Sequence, residues 1–185
     1  MRQLVRLFTQ ITLLRRGPQD LPASLLLLVV TIIAYIGVNL LMNALFPATA
    51  LTGAAAKAGE VDANNWPAQM LVDTVFTIAW YVLLMRIAGR PERTLQTTTA
   101  VFGVQVVLAP LFFFSSWLYP RFAQDSVWGV PVSLLGVALF VWLLAANSHI
   151  VREALEWSAG ASVALVILQI VASELLGRQL VAAVS

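Results

Sequence analysis

The most restrictive feature of this sequence is the segment 21–46, a run of 26 residues without a charged side chain. A helix of about 20 apolar residues crosses a hydrocarbon core of about 30 Å, and in lipid its backbone polar groups must be paired within the segment. Four further apolar stretches have spanning length, at about 67–88, 95–119, 127–147 and 158–176. The sequence therefore predicts an all-α fold, a polytopic membrane bundle with five transmembrane helices over residues 21–185.

The composition agrees with a membrane location. Hydrophobic residues make up 60% of the chain and charged residues 11%, whereas a typical soluble domain is about half apolar and about a quarter charged. The net charge is +2, and the basic residues are not clustered on one face. We therefore expect no nucleic acid among the partners of this protein.

The chain also lacks the residue patterns of common enzymes and metalloproteins. It has no cysteine and a single histidine, His149, so neither a thiolate site nor a histidine-rich metal site is expected. No P-loop, G-x-S-x-G, H-E-x-x-H or dinucleotide glycine motif occurs. We expect a protein that is not an enzyme, with no catalytic residue, no metal and no cofactor.

Proline and glycine indicate where several helices begin and end. Pro67 suits the first turn of the second span, and the turn 89–93, GRPER, ends that span. Pro110 is expected to kink the third span, and Pro120 is expected to end it. The predicted connections are 47–66, which is the longest, 89–93, 120–126 and 148–157.

Residues 1–20 form a separate segment before the first span. Arg2, Arg6 and Gln10 lie on one side of a helix drawn through it. The other side carries apolar residues at helical spacing: Leu4, Leu7, Phe8, Ile11 and Leu14. We expect an amphipathic cytoplasmic helix in the membrane interface, with its apolar face in lipid and its arginines near anionic headgroups. A partly ordered tail is the alternative.

The basic residues also predict the orientation. Eight of the eleven lie before the first span, around the turn 86–93 or in the fourth connection, and three lie on the other side. Cytoplasmic loops are enriched in Lys and Arg, so we expect the amino terminus in the cytoplasm and the carboxyl terminus outside. Ala48–Ala50 has the form of a signal cleavage site. The apolar segment before it is longer than the usual 7 to about 15 residues, so we expect it to remain as an anchor.

Polar residues within the spans recur every fourth position and so form stripes along single helices. The stripes are Thr31, Tyr35, Asn39 and Asn43 in the first span and Gln69, Asp73, Thr77 and Tyr81 in the second, and later spans add Gln105, Ser133, Gln169 and Ser173. Hydrogen bonds between helices account for such residues in lipid. A path for a small molecule or an ion through the bundle is the alternative.

Asn39, Asn43 and Asp73 form the candidate intramembrane polar cluster. Counted from the outer ends of the first two spans, they lie within about 6 Å of one another along the membrane normal. The two stripes share a spacing, so we expect them to face each other. We predict that the Asp73 carboxyl points into the bundle and accepts a hydrogen bond from the amide of Asn39 or Asn43.

Two segments carry a family resemblance. Residues 89–111, GRPERTLQTTTAVFGVQVVLAPL, combine a short basic turn with a helix that has a mid-span proline. Residues 141–155, VWLLAANSHIVREAL, lead from the fourth span into a connection with a histidine, before a last helix rich in small residues. In these features, and in five closely spaced spans over about 16–176, the chain resembles the bacterial branch of the YIP family, the Ypt/Rab-interacting integral membrane proteins.

The resemblance implies a non-enzymatic protein of the bacterial inner membrane with a membrane-organising or partner-binding role. Its partners would be membrane lipids and a membrane protein or a second copy of the chain. The alternative is a small transporter or transporter subunit, motivated by Asp73 and the two polar stripes.

Overall fold

The computed structural model describes residues 2–45, 66–122 and 127–184, and these ranges are almost entirely helical. The helices are α1 (Arg2–Thr12), α2 (Leu25–Leu45), α3 (Trp66–Ile87), α4 (Thr94–Phe122), α5 (Gly129–Leu155) and α6 (Ala159–Val184). Within the described ranges, the five helices α2 to α6 are long and apolar enough to cross a membrane. The predicted all-α fold, with an amphipathic helix before five candidate membrane helices, is confirmed.

Several sequence predictions concern residues outside the described ranges. The first group is most of the long connection 47–66, which contains Lys57 and the sequence Ala48–Ala50. The second group is residues 123–126 of the third connection.

α4 is the central helix of the bundle. It packs against α1, α2, α3 and α5, and 39% of its membrane window is buried within the protein, against 11% for α2. The core around it takes side chains from five helices, among them Ile11, Tyr81, Val104, Ile150 and Val166. Large apolar side chains also cover the outside of the bundle, as a surface that faces lipid tails requires.

The first membrane helix begins later than predicted, at Leu25. Ser24 caps it, because its Oγ accepts a hydrogen bond from the backbone N–H of Leu27 at 3.4 Å. The preceding Leu21 is buried, and its backbone oxygen accepts a hydrogen bond from Gln96 Nε2 of α4 at 2.7 Å. The segment before Ser24 is thus held against α4 and does not extend the helix.

α4 runs further than predicted. It continues through Pro110 and Pro120 to Phe122, so the predicted helix end at Pro120 is wrong. Near its end, Arg121 Nη1 donates to the backbone oxygen of Trp117 at 3.2 Å. This bond connects successive turns at the end of the helix.

α5 also continues past its predicted end, to Leu155, through most of the segment 148–157 that was expected to be a connection. The helix continues because four apolar residues at helical spacing are buried in the core: Ile150, Val151, Ala154 and Leu155. The polar residues between them mask this apolar face in the sequence. α6 likewise extends several residues beyond its predicted end.

α1 is helical as predicted, but part of its apolar face packs on protein. Ile11 has no exposed surface, and the Phe8 ring lies directly over Gly103 of α4. Trp142 Nε1 of α5 donates to the backbone oxygen of Thr12 at 2.9 Å. Gly103 leaves the space that the ring occupies. Phe8 and Ile11 therefore pack on protein rather than in lipid, because α4 and α5 offer an equally apolar surface that the helix can reach, whereas Leu14 is 43% exposed. The interfacial placement of α1 stays a prediction.

Candidate functional site

A cavity of about 300 Å³ lies between α2, α3 and α6, and Phe113 of α4 forms part of its wall. The three residues of the predicted cluster, Asn39, Asn43 and Asp73, all line it. These residues lie near the end of α2 and the start of α3. The cavity, which we call the polar cavity, is therefore in the half of the bundle away from the turn 89–93.

Asp73 is the centre of the hydrogen bonding in the polar cavity. Its Oδ2 accepts a hydrogen bond from Tyr35 Oη of α2 at 3.4 Å, and its Oδ1 accepts one from Ser173 Oγ of α6 at 2.5 Å. The Tyr35 ring packs against Phe102 of α4, with ring centroids 5.4 Å apart, which holds its hydroxyl in place. The carboxylate thus points into the bundle, as predicted, and joins three helices.

The predicted donor to this carboxylate is wrong. Asn39 Nδ2 donates instead to the backbone oxygen of Tyr35, one turn earlier in the same helix, at 2.8 Å. An amide that can reach a carbonyl four residues earlier on its own helix is satisfied without any contact between helices. Asn43 lies on the wall of the polar cavity.

The stripes of α2 and α3 meet at the polar cavity, where Tyr35 binds Asp73, as predicted. The stripe of α3 also lies against α6, which the sequence did not predict. Three pairs line this boundary, which we call the polar seam: Gln69 with Gly177, Asp73 with Ser173, and Tyr81 with Gln169. In the third pair, Tyr81 Oη donates to Gln169 Oε1 at 2.8 Å, and both side chains are buried. α2 packs mainly on α4. The polar seam therefore continues from the polar cavity towards the turn 89–93.

Sequence reasoning missed part of this site. Ser173 and Gln169 stood out only as polar residues, although Gly177 continues their spacing of four and so completes a stripe on α6. That spacing was the available signal. Met70 and Phe113, which also line the polar cavity, are apolar residues in apolar helices, and nothing in the sequence separates them from their neighbours.

The opposite end of the bundle carries an ion-pair cluster. Arg90 Nη2 lies 2.7 Å from Glu156 Oε2, and Arg93 Nη2 lies 3.0 Å from Glu156 Oε1. Hydrogen bonds from Arg90, which has the larger effect, and from Arg93 lower the pKa of the Glu156 carboxyl from 4.5 to about 2. His149 Nε2 lies 3.2 Å from the backbone oxygen of Arg16 in the same region. We call this end the basic end.

Within the described ranges, no three His, Asp or Glu side chains come together in a way that could hold a metal ion. A comparison with known proteins finds no matching family model, no matching curated protein and no matching solved structure. The resemblance to the YIP family therefore stays a prediction. The polar cavity is the feature of this molecule from which a function follows.

Proposed function

We propose that this chain is a non-enzymatic, multi-pass membrane protein that binds a small polar solute in the polar cavity, as a transporter or the membrane subunit of one. The observation that carries the proposal is the Asp73 carboxylate on the wall of a 300 Å³ cavity among three membrane helices. An acidic residue within a membrane helix is costly and generally marks a path for a solute or an ion.

The space beside Asp73 favours this function over simple helix–helix bonding. A carboxylate that only joined helices would be enclosed by its partners, whereas here each oxygen accepts one hydroxyl group and the residue also lines an open volume. At about 30 Å³ per water molecule, the polar cavity has room for roughly ten waters or one small molecule.

The polar seam supports a solute path rather than a surface pocket. The buried pair of Tyr81 and Gln169 lies between the polar cavity and the basic end, and closes the seam there. Passage across the bundle would require this pair to separate, and the side chains could then offer their hydrogen bonds to the solute. The membrane-organising, partner-binding role implied by the YIP resemblance has no comparable geometric support and stays a prediction.

We further propose the bacterial inner membrane as the location, with the amino terminus in the cytoplasm. Arg16, Arg90 and Arg93 belong to the same end of the bundle, linked by contacts to the segment 149–156. An end rich in arginine favours the cytoplasmic side. The polar cavity would then lie in the outer half of the membrane.

Filling the polar cavity tests the proposed function. In Gly177→Leu, the new side chain grows towards Gln69 and into the cavity, whereas Gly160→Leu adds the same group to α6 at an exposed site with no atom within 4 Å. The readout is thermal unfolding of the full chain in detergent, with a panel of small amines, sugars, amino acids and carboxylates. A ligand at about 100 times its Kd stabilises a protein by about 2.7 kcal/mol.

We expect at least one solute to raise the Tm of the wild type and of Gly160→Leu but not of Gly177→Leu. Two results would contradict the proposal: a panel in which no solute stabilises the wild type, or a solute that stabilises both leucine variants equally.

A further inference from the structure

Both hydroxyl donors on the described wall of the polar cavity are used within the protein. Tyr35 Oη and Ser173 Oγ both donate to Asp73. Asn39 Nδ2 donates to the backbone oxygen of Tyr35. A hydroxyl group has one hydrogen to donate, so these two hydroxyl groups have none left for a ligand.

Asp73 itself still offers acceptor sites to a ligand. A carboxylate has about four lone-pair sites, and two of those on Asp73 are in use. Asn39 keeps its carbonyl Oδ1, because its nitrogen must face the Tyr35 carbonyl, and both hydroxyl oxygens keep lone pairs. A ligand that binds to the Asp73 carboxylate must therefore bring donors.

The charge of the lining favours the same kind of ligand. Asp73 is acidic, and the described lining residues include no Lys, Arg or His. An anion would be repelled by Asp73, whereas a cation would form charge-assisted hydrogen bonds with it, which are roughly twice as strong as neutral ones.

The size and the remaining walls point to an organic cation. The cavity volume of about 300 Å³ holds on the order of ten non-hydrogen atoms, so a bare metal ion would leave most of it to water. Met70 and Phe113 supply apolar surface on the same cavity. An ammonium group with a short alkyl chain matches both kinds of wall.

We infer that the polar cavity selects a small organic ammonium ion, whose NH₃⁺ group donates to Asp73 and Asn39 and whose alkyl part lies against Met70 and Phe113. This inference rests on the proposed function, since it names the class of solute that the same cavity takes. Asp73 supplies the charge that distinguishes an amine from a neutral molecule of equal shape.

Three probes of equal chain length test the inference on the wild-type full chain in detergent. They are n-propylammonium chloride, n-propanol and sodium propionate, which carry a positive charge, no charge and a negative charge. We expect saturable stabilisation by propylammonium, measured as a rise in Tm, with an apparent affinity at least about tenfold above that of the other two. This comparison needs no variant and so does not depend on the folding of one.

Asp73→Asn removes the charge and keeps an oxygen that can accept from Ser173 or Tyr35. Asp20→Asn is the matched control, because Asp20 is an exposed acid in the turn before α2, outside the polar cavity. We expect propylammonium binding to weaken at least about tenfold in Asp73→Asn and to be unchanged in Asp20→Asn.

The outcomes separate the two proposals. If propanol or propionate stabilises the wild type as well as propylammonium does, or if Asp73→Asn binds propylammonium normally, the ammonium inference is overturned while a solute site that Gly177→Leu blocks still stands. If no solute in the broader panel stabilises the protein, the proposed function and the ammonium inference both fail.

Discussion

Glu156 combines two unusual properties in one residue at the end of α5. Its φ of 58° places it in the left-handed region, which is common for glycine after a helix and uncommon for other residues. Its carboxylate is held by Arg90 and Arg93 of the α3–α4 turn. The ion pairs therefore join two turns of the basic end through a residue whose backbone conformation favours glycine.

The Glu156 ion pairs predict a defined pH dependence. The pKa of the carboxyl falls from 4.5 to about 2 on folding, so its contribution to stability is complete above pH 4.5 and is lost as pH falls through about 2. We expect wild type to have a higher Tm than Glu156→Gln at neutral pH, with the difference constant down to about pH 5 and smaller below it. Thermal unfolding of both chains across pH measures this, and a difference that grew on acidification would contradict it.

At the scale of elements, the packing of α1 on α4 depends on Gly103, which has no side chain where the Phe8 ring lies. A Cβ at Gly103 would overlap the Phe8 ring, so Gly103→Ala forces either the ring or α1 to move. Overpacking of this kind costs about 1–3 kcal/mol. We expect faster backbone hydrogen exchange in α1 and a lower Tm.

Two further variants make the α1 prediction specific. Gly37→Ala in α2 is the control, because no atom lies within 4 Å of the added methyl group, and it should leave exchange in α1 unchanged. Phe8→Ala combined with Gly103→Ala should remove the overlap. The loss of stability in this double variant should therefore be smaller than the sum of the losses in the two single variants. Equal exchange in wild type and Gly103→Ala would show that α1 does not rest on this contact.

For the whole molecule, the testable property is its topology. Five membrane helices with the amino terminus inside put the α3–α4 turn in the cytoplasm and the carboxyl terminus outside. Reporter fusions after Arg93 and after Ser185 should therefore read opposite sides of the membrane. Two cytoplasmic readings would mean that the number of spans differs from five by one.

The sequence by itself determined the fold class and the number of membrane helices, since uncharged runs of spanning length have few alternatives in lipid. It also identified Asn39, Asn43 and Asp73, because charged and amide groups are conspicuous in apolar helices. It misplaced the end of α4, which continues past Pro120, and the end of α5, where polar residues alternate with apolar residues that the core buries.

Only the tertiary structure decided which surfaces meet. An apolar helix face suits lipid and protein equally, so the sequence of α1 could not distinguish a place in the membrane from a place on α4. The partners of Asp73 were open for the same reason: Tyr35, Ser173, Asn39 and Asn43 can all donate a hydrogen bond. Because α3 packs on α6, Ser173 donates to Asp73. Asn39 donates instead to the backbone carbonyl of Tyr35 in its own helix.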